Sequence, residues 1–213
     1  MVDVSIGGTE RPVIGVISQT LELEMLNDTR FSGYKSYIMK SYVDWIEAQG
    51  ARVVPLVVDE DRKDTADKLR RMNGVLFPGG DGNYSSFGRF VFDTVKQIND
   101  NGTYMPIWGT CAGFHELVSY VADAGWAVHD IYDMDSASLT LDFAYQDPTE
   151  IPIYSNLGPK ANLFTTYNMT YNSHHWSLNP SKFQTDNGLG AFFEPTALSY
   201  MPPPDNRPFV ASV

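Results

Sequence analysis

The run Gly109-Thr110-Cys111-Ala112-Gly113 sets the only cysteine of the chain between two glycines. A nucleophile held at a sharp strand-to-helix bend needs this spacing, because residues flanking the bend must lack Cβ atoms where strand and helix approach closely. The apolar strand-like piece Met105-Pro106-Ile107-Trp108 precedes it, and Phe114, Leu117, Val118 and Val121 follow on one helical face. Cys111 is thereby expected as a nucleophile, its thiolate favoured by the positive end of the following helix. The competing reading is a buried cysteine that packs as a small hydrophobe, with glycines that only make the turn. The amide of Ala112 is expected to face an oxyanion formed on a substrate carbonyl. A second donor is expected from Gly79 or Gly80, in the glycine turn Pro78-Gly79-Gly80-Asp81-Gly82.

A thiol that attacks a carbonyl needs an imidazole to take and return a proton. The four histidines are His115, one helical turn after Cys111; His129, in a polar loop; and the adjacent His174 and His175.

The elements that must position these groups alternate over the first half. Pro12 to Ile17 is a short apolar run, and Tyr34, Tyr37, Ile38, Tyr42, Trp45 and Ile46 follow at helical spacing up to a stop at Gly50. Next come a strand from Arg52 to Val58, a short helix from Asp64 to Arg71 and the strand Gly74-Val75-Leu76-Phe77. Phe87, Phe90, Val91, Val95 and Ile98 give a second helical face before the strand that leads to Cys111. Short apolar strands separated by amphipathic helices predict an α/β, doubly wound, mostly parallel sheet. After Trp126 the pattern breaks into pieces such as Leu139 to Phe143, which predict antiparallel additions and long loops. A further strand is expected from Pro208 to Val213.

With 213 residues, 43% of them hydrophobic, the chain suits one domain, read as 12–213 behind a disordered leader of residues 1–11. The net charge of −11, with no Lys/Arg cluster, argues against a nucleic-acid partner. No apolar run approaches a membrane span, so no membrane partner is expected. One cysteine excludes an intramolecular disulfide framework. The start lacks a signal segment, yet the sequons at Asn27, Asn83, Asn101 and Asn168 point to the secretory route.

The chain resembles the γ-glutamyl hydrolases, within the class I glutamine-amidotransferase-like group. The resemblance rests on Ser41-Tyr42-Val43 with Gly50-Ala51-Arg52-Val53-Val54-Pro55, on Asn73 to Gly80, on Pro106 to Phe114, and on His174-His175-Trp176-Ser177-Leu178. It implies a flavodoxin-like sandwich and cleavage of γ-linked glutamyl bonds, typically in folate poly-γ-glutamates, through a thioester on Cys111. It implies no metal and no organic cofactor, a small γ-glutamyl peptide as substrate, and a secreted, lysosomal or vacuolar location. A homodimer is the assembly considered. His174 matches a family histidine and is expected to line the cleft or move a proton. Gly80 and Ala112 are expected to hold the oxyanion.

Two departures carry expectations of their own. The family places Glu four residues after its nucleophile, and amidotransferases place Gln there; this chain has His115, expected to contact substrate. The family's Trp-His-Pro-Glu segment has no match, and Phe209 to Val213 resembles the strand shortly before it. The expectation is a C-terminally truncated chain with little turnover by itself. Against the cysteine hydrolase stands an inactive domain that binds γ-glutamyl ligands; an amidotransferase subunit is disfavoured.

Overall fold

The computed structural model describes residues 11–213. The leader expected over 1–11 lies, apart from Arg11, outside the described residues. The chain divides into two compact units, a first that ends at Leu117 and a second from Val118 to Val213.

In the first unit, the four strands read from the sequence form one parallel sheet. Its order is Arg52–Leu56, Val13–Ile17, Gly74–Phe77, Ile107–Gly109. The register pairs Ile14 with Val53, Gly15 with Val75, and Leu76 with Trp108. All four residues of Gly74–Phe77 are buried, as a strand covered on both faces requires. Because side chains alternate along a strand, Val16 and Leu76 share one face, where they pack with Ile46 and Ala51 and are joined by Ile14, Ile38, Tyr42 and Val53. The helix Lys40–Ala48 supplies Ile46 and Tyr42 to that layer and ends before Gly50, whose φ of +84° is one that glycine adopts without strain.

The helix Arg62–Leu69 starts on the Asp61 carboxylate, which accepts from the amides of Lys63 and Asp64. The helix Ser85–Asp100 buries Phe87, Gly88, Val91, Phe92 and Val95. Each large apolar side chain so buried contributes about 1.5–3 kcal/mol.

One helix is shorter than its periodicity predicts. Tyr34 lies exposed in a loop, and Ser36–Tyr37 forms an antiparallel pair with Gln19–Thr20. The Tyr37 hydroxyl donates to the Glu22 carboxylate, which fixes that ribbon. Met39 is still extended, so the helix begins only at Lys40. Ile38 reaches the core from outside the helix, which is why the apolar spacing persists.

The second unit is antiparallel, as its composition predicts. Asp130–Leu139 pairs with Thr170–Ser177, and Pro208–Ser212, Ala197–Tyr200 and Asp142–Phe143 form a three-stranded sheet in that order. Tyr132, Met134, Met201 and Phe209 make a buried cluster. The piece Leu139 to Phe143 is two strand ends and not one strand. Leu139 closes the long strand, the Leu141 amide donates to the Phe164 carbonyl, and Asp142–Phe143 turns to a different partner. No described helix is long and apolar enough to cross a membrane.

Candidate active site

Three neighbouring parallel strands deliver the candidate site at their carboxyl ends: Ile17 leads to Gln19, Phe77 to Gly79, and Gly109 to Cys111. That edge is where open α/β sheets bind ligands. Cys111 is exposed and has φ of +54°, in the left-handed region that costs a residue with a Cβ about 1–2 kcal/mol. The reversal is held on both sides of it. The Thr110 amide donates to the Phe77 carbonyl at 3.1 Å, the Gly113 amide to the Thr110 carbonyl at 2.9 Å, and the Trp108 indole to the Thr110 hydroxyl at 2.9 Å.

The flanking glycines are required by space. A Cβ on Gly109 would lie 2.6 Å from Leu117 Cδ1, and one on Gly113 would lie 2.0 Å from the Phe77 carbonyl oxygen. Helix Ala112–Val121 then leaves from the bend, and its first amides, Ala112 among them, are donors that a helix cannot satisfy internally.

The glycine turn after Phe77 lies against the cysteine. A Cβ on Gly79 would sit 2.7 Å from Cys111 Cβ and 3.0 Å from the Tyr42 hydroxyl. The turn's polar atoms are taken up by side chains from other elements. The Gly79 amide donates to Tyr42 Oη at 2.8 Å, Gln19 Nε2 donates to the Gly79 carbonyl at 2.6 Å, and the Gly82 amide donates to Gln19 Oε1 at 3.1 Å. Tyr84 Oη donates to the Pro78 carbonyl at 2.7 Å. The Gly80 amide is left without a partner among the described residues. Gly80 itself has φ of +128°, a conformation closed to other residues.

Burial, and to a lesser degree the negative charge available at Cys111, push the Tyr42 phenol up. Tyr84 is pushed up further by burial, with Glu116 adding to it. Both remain neutral hydroxyls at any physiological pH. Among the described residues no three His, Cys, Asp or Glu side chains converge where they could hold a metal ion.

The structure thus brings Cys111, Ala112, Gly79 and Gly80 to one sheet edge. His115 is buried on the helix after the bend, its ring edge against Phe114 at 5.5 Å. Its neighbour Glu116 accepts from the Ser85 hydroxyl. His174 belongs to the second unit, opposite Met134 in the strand pair and edge-on to Phe209 at 5.4 Å. His175 is exposed and pairs with Asp133. His129 is buried, with Nδ1 2.9 Å from the Trp126 carbonyl. Sequence reasoning missed Gln19 and the hydroxyl role of Tyr42. The available signal was a carboxamide placed just past an apolar strand whose end shares the glycine turn's sheet edge.

Burial pushes both His129 and His174 down, so each is neutral in the fold at pH 7. In the unfolded chain both titrate near their ordinary value of about 6.5, so below that the unfolded chain binds more protons and acid favours it. The second unit is therefore expected to lose stability as pH falls from about 7 to about 5, above the range where most carboxylates titrate. Thermal melts across that window check this; a midpoint that is flat or rises on acidification contradicts it.

The sequence model of the Peptidase C26 family matches residues 12–176, a span that holds the bend, the glycine turn and His174. The chain is 35% identical over 192 residues to the gamma-glutamyl hydrolase of Rattus norvegicus, covering 87% of this chain and 58% of that protein. It is 31% identical over 195 residues to gamma-glutamyl hydrolase B of Dictyostelium discoideum, with 88% and 54% covered. It is 30% identical over 198 residues to the gamma-glutamyl hydrolase of Homo sapiens, with 86% and 58% covered. The chain spans less than two thirds of the length of these relatives.

Proposed function

We propose that this chain, which belongs to the Peptidase C26 family, carries the nucleophile and oxyanion site of a cysteine hydrolase for γ-glutamyl peptide bonds. The observation that carries the reading is the strained, exposed Cys111 pressed against a glycine turn whose Gly80 amide is unclaimed. Relatives whose names state γ-glutamyl hydrolysis support the substrate bond. Folate poly-γ-glutamates are the proposed substrate class.

In this reading the Cys111 sulfur attacks the γ-carbonyl carbon, and the carbonyl π pair moves to oxygen. The Gly80 and Ala112 amides stabilise that oxyanion; one such donor is commonly worth about 10²–10³ in rate. Collapse expels the amine, which takes up a proton, and leaves a thioester. Water then cleaves the C–S bond, releasing the γ-carboxylate and restoring the thiol. Taking up the thiol proton and returning one to the leaving amine is the work of an imidazole in such chemistry.

The experiment is acid quenching of the full-length protein during turnover of a γ-glutamyl peptide, followed by mass analysis of the Cys111 peptide. The expected result is a γ-glutamyl adduct on Cys111 that disappears as substrate is consumed. Hydrolysis without any adduct, in wild type and in a variant with slowed deacylation, contradicts the thioester path. Saturable binding with neither adduct nor product would instead establish the inactive ligand-binding domain.

A further inference from the structure

We infer that Gln19 is a positioning residue whose buried carboxamide sets the glycine turn in the conformation that offers the Gly80 amide to the oxyanion. The inference rests on the function proposed above and extends it to a residue in another element.

Gln19 has no exposed surface, although it follows an apolar strand and ends in a polar group. Its two terminal atoms serve one turn: Nε2 donates to the Gly79 carbonyl at 2.6 Å and Oε1 accepts from the Gly82 amide at 3.1 Å. The two contacts therefore bracket the Gly80 peptide. A carbonyl at one end and an amide at the other also fix which way the carboxamide faces. The turn wraps closely around this group. A Cβ on Gly80 would lie 2.8 Å from Gln19 Oε1, and one on Gly82 would lie 2.6 Å from Gln19 Cβ.

Three glycines in four positions, Gly79, Gly80 and Gly82, give this turn far more backbone freedom than residues with a Cβ would. Unheld, it would sample many conformations, and an oxyanion donor is effective only when its direction is set before the charge forms. Among side chains of this length the carboxamide is the one suited to donate and accept at once: ionised Glu lacks the donor, and Met has no donor and only a weak acceptor. Thr20 adds a second tie at the turn's far end, accepting from the Asn83 amide at 2.9 Å.

The test uses the full-length protein with Gln19→Met and Gln19→Glu, and with Ser18→Ala as a control. Ser18 is also buried, but its hydroxyl accepts from Val58 and not from the turn. Three readouts are compared. The first is kcat and KM on a γ-glutamyl peptide. The second is inhibition by a γ-glutamyl aldehyde, to which the thiolate adds after its proton has passed to solvent: the S–C bond forms and the carbonyl π pair goes to oxygen as an alkoxide. The third is alkylation by iodoacetamide, a displacement at carbon that creates no oxyanion.

With one of two oxyanion donors misdirected, kcat is expected to fall about 10- to 100-fold with KM within about threefold. The aldehyde inhibition constant should rise in proportion while alkylation stays within about threefold of wild type, and Ser18→Ala should change none of the three. Wild-type kcat and aldehyde inhibition in both Gln19 variants overturns the inference and leaves the proposed function standing. So does a uniform loss of all three readouts that tracks the melting temperature, as Ser18→Ala would show if stability alone mattered. A wild-type protein that neither forms an acyl adduct nor responds to the aldehyde removes the proposed function and this inference together.

Discussion

Replacing Cys111 by glycine is expected to abolish hydrolysis while leaving the protein more stable than Cys111→Ala. The two effects have separate causes at one residue. On the proposed thioester path, loss of the sulfur should lower kcat by roughly 10⁴-fold or more, as removal of a covalent nucleophile does elsewhere. Cys111→Gly and Cys111→Ala share this loss. The stability difference comes from φ of +54°, which no glycine minds and which costs alanine about 1–2 kcal/mol. Glycine's larger freedom in the unfolded chain offsets about 0.5–1 kcal/mol of that, leaving a net gain of about 1 kcal/mol. Urea unfolding of the two variants measures the gain, and γ-glutamyl peptide turnover measures the loss. Equal or lower stability for Cys111→Gly would mean that the bend is not strained. Retained hydrolysis in either variant would move the nucleophile elsewhere. The expected pairing, a residue that harms the fold and makes the chemistry, is what strain stored at a working site predicts.

The parallel sheet was legible because burial on both faces leaves a one-dimensional trace. Gly74-Val75-Leu76-Phe77 is apolar without alternation, and the structure buries every one of its residues. The apolar face of the Ser85–Asp100 helix and the stop at Gly50 were legible for the same kind of local reason. The start of the Lys40–Ala48 helix was not. Tyr34, Tyr37 and Ile38 keep a helical spacing, but Tyr37 is held in a strand pair by Gln19 and Glu22, from a segment fifteen or more positions away. Likewise Leu139 to Phe143 reads as one strand, and only the choice between two antiparallel partners, Thr170 and Ala197, splits it.

At the site, what was legible was what one segment encodes by itself: the bend at Cys111 with its glycines, and the glycine turn at Gly79 and Gly80. What was not legible was support that crosses between segments. Gln19 and Tyr42 reach the turn across sequence separations that carry no pattern, and their side chains are ordinary in their own elements. The histidines show the same limit. His174 was marked by its neighbours in sequence, yet its environment is set by Phe209, which the sequence does not place beside it.

Gly113→Ala is expected to be the most destabilising single substitution at the bend, against what helix propensity alone predicts. Gly113 lies in the first turn of the Ala112–Val121 helix at an ordinary φ, where exchange for alanine would by propensity gain up to about 1 kcal/mol. The added Cβ, however, would stand 2.0 Å from the Phe77 carbonyl oxygen, 2.6 Å from its carbon and 2.9 Å from Phe77 Cβ. None of these atoms can yield cheaply. Phe77 is fully buried in an interior strand, and its carbonyl holds the Thr110 amide. Relief requires the helix to move off the strand, which breaks that bond and tilts Cys111 away from Gly79. Overpacking a rigid interior commonly costs about 1–3 kcal/mol and occasionally more, and a clash with backbone belongs at the upper end. Against a total stability of about 5–15 kcal/mol, a loss of about 3 kcal/mol or more shifts the urea midpoint markedly. Gly102→Ala is the reference, since nothing lies within 4 Å of its Cβ position and only its φ of +87° is strained. A Gly113→Ala midpoint at or above that of Gly102→Ala would show that the strand and helix are not in the close contact on which the bend depends.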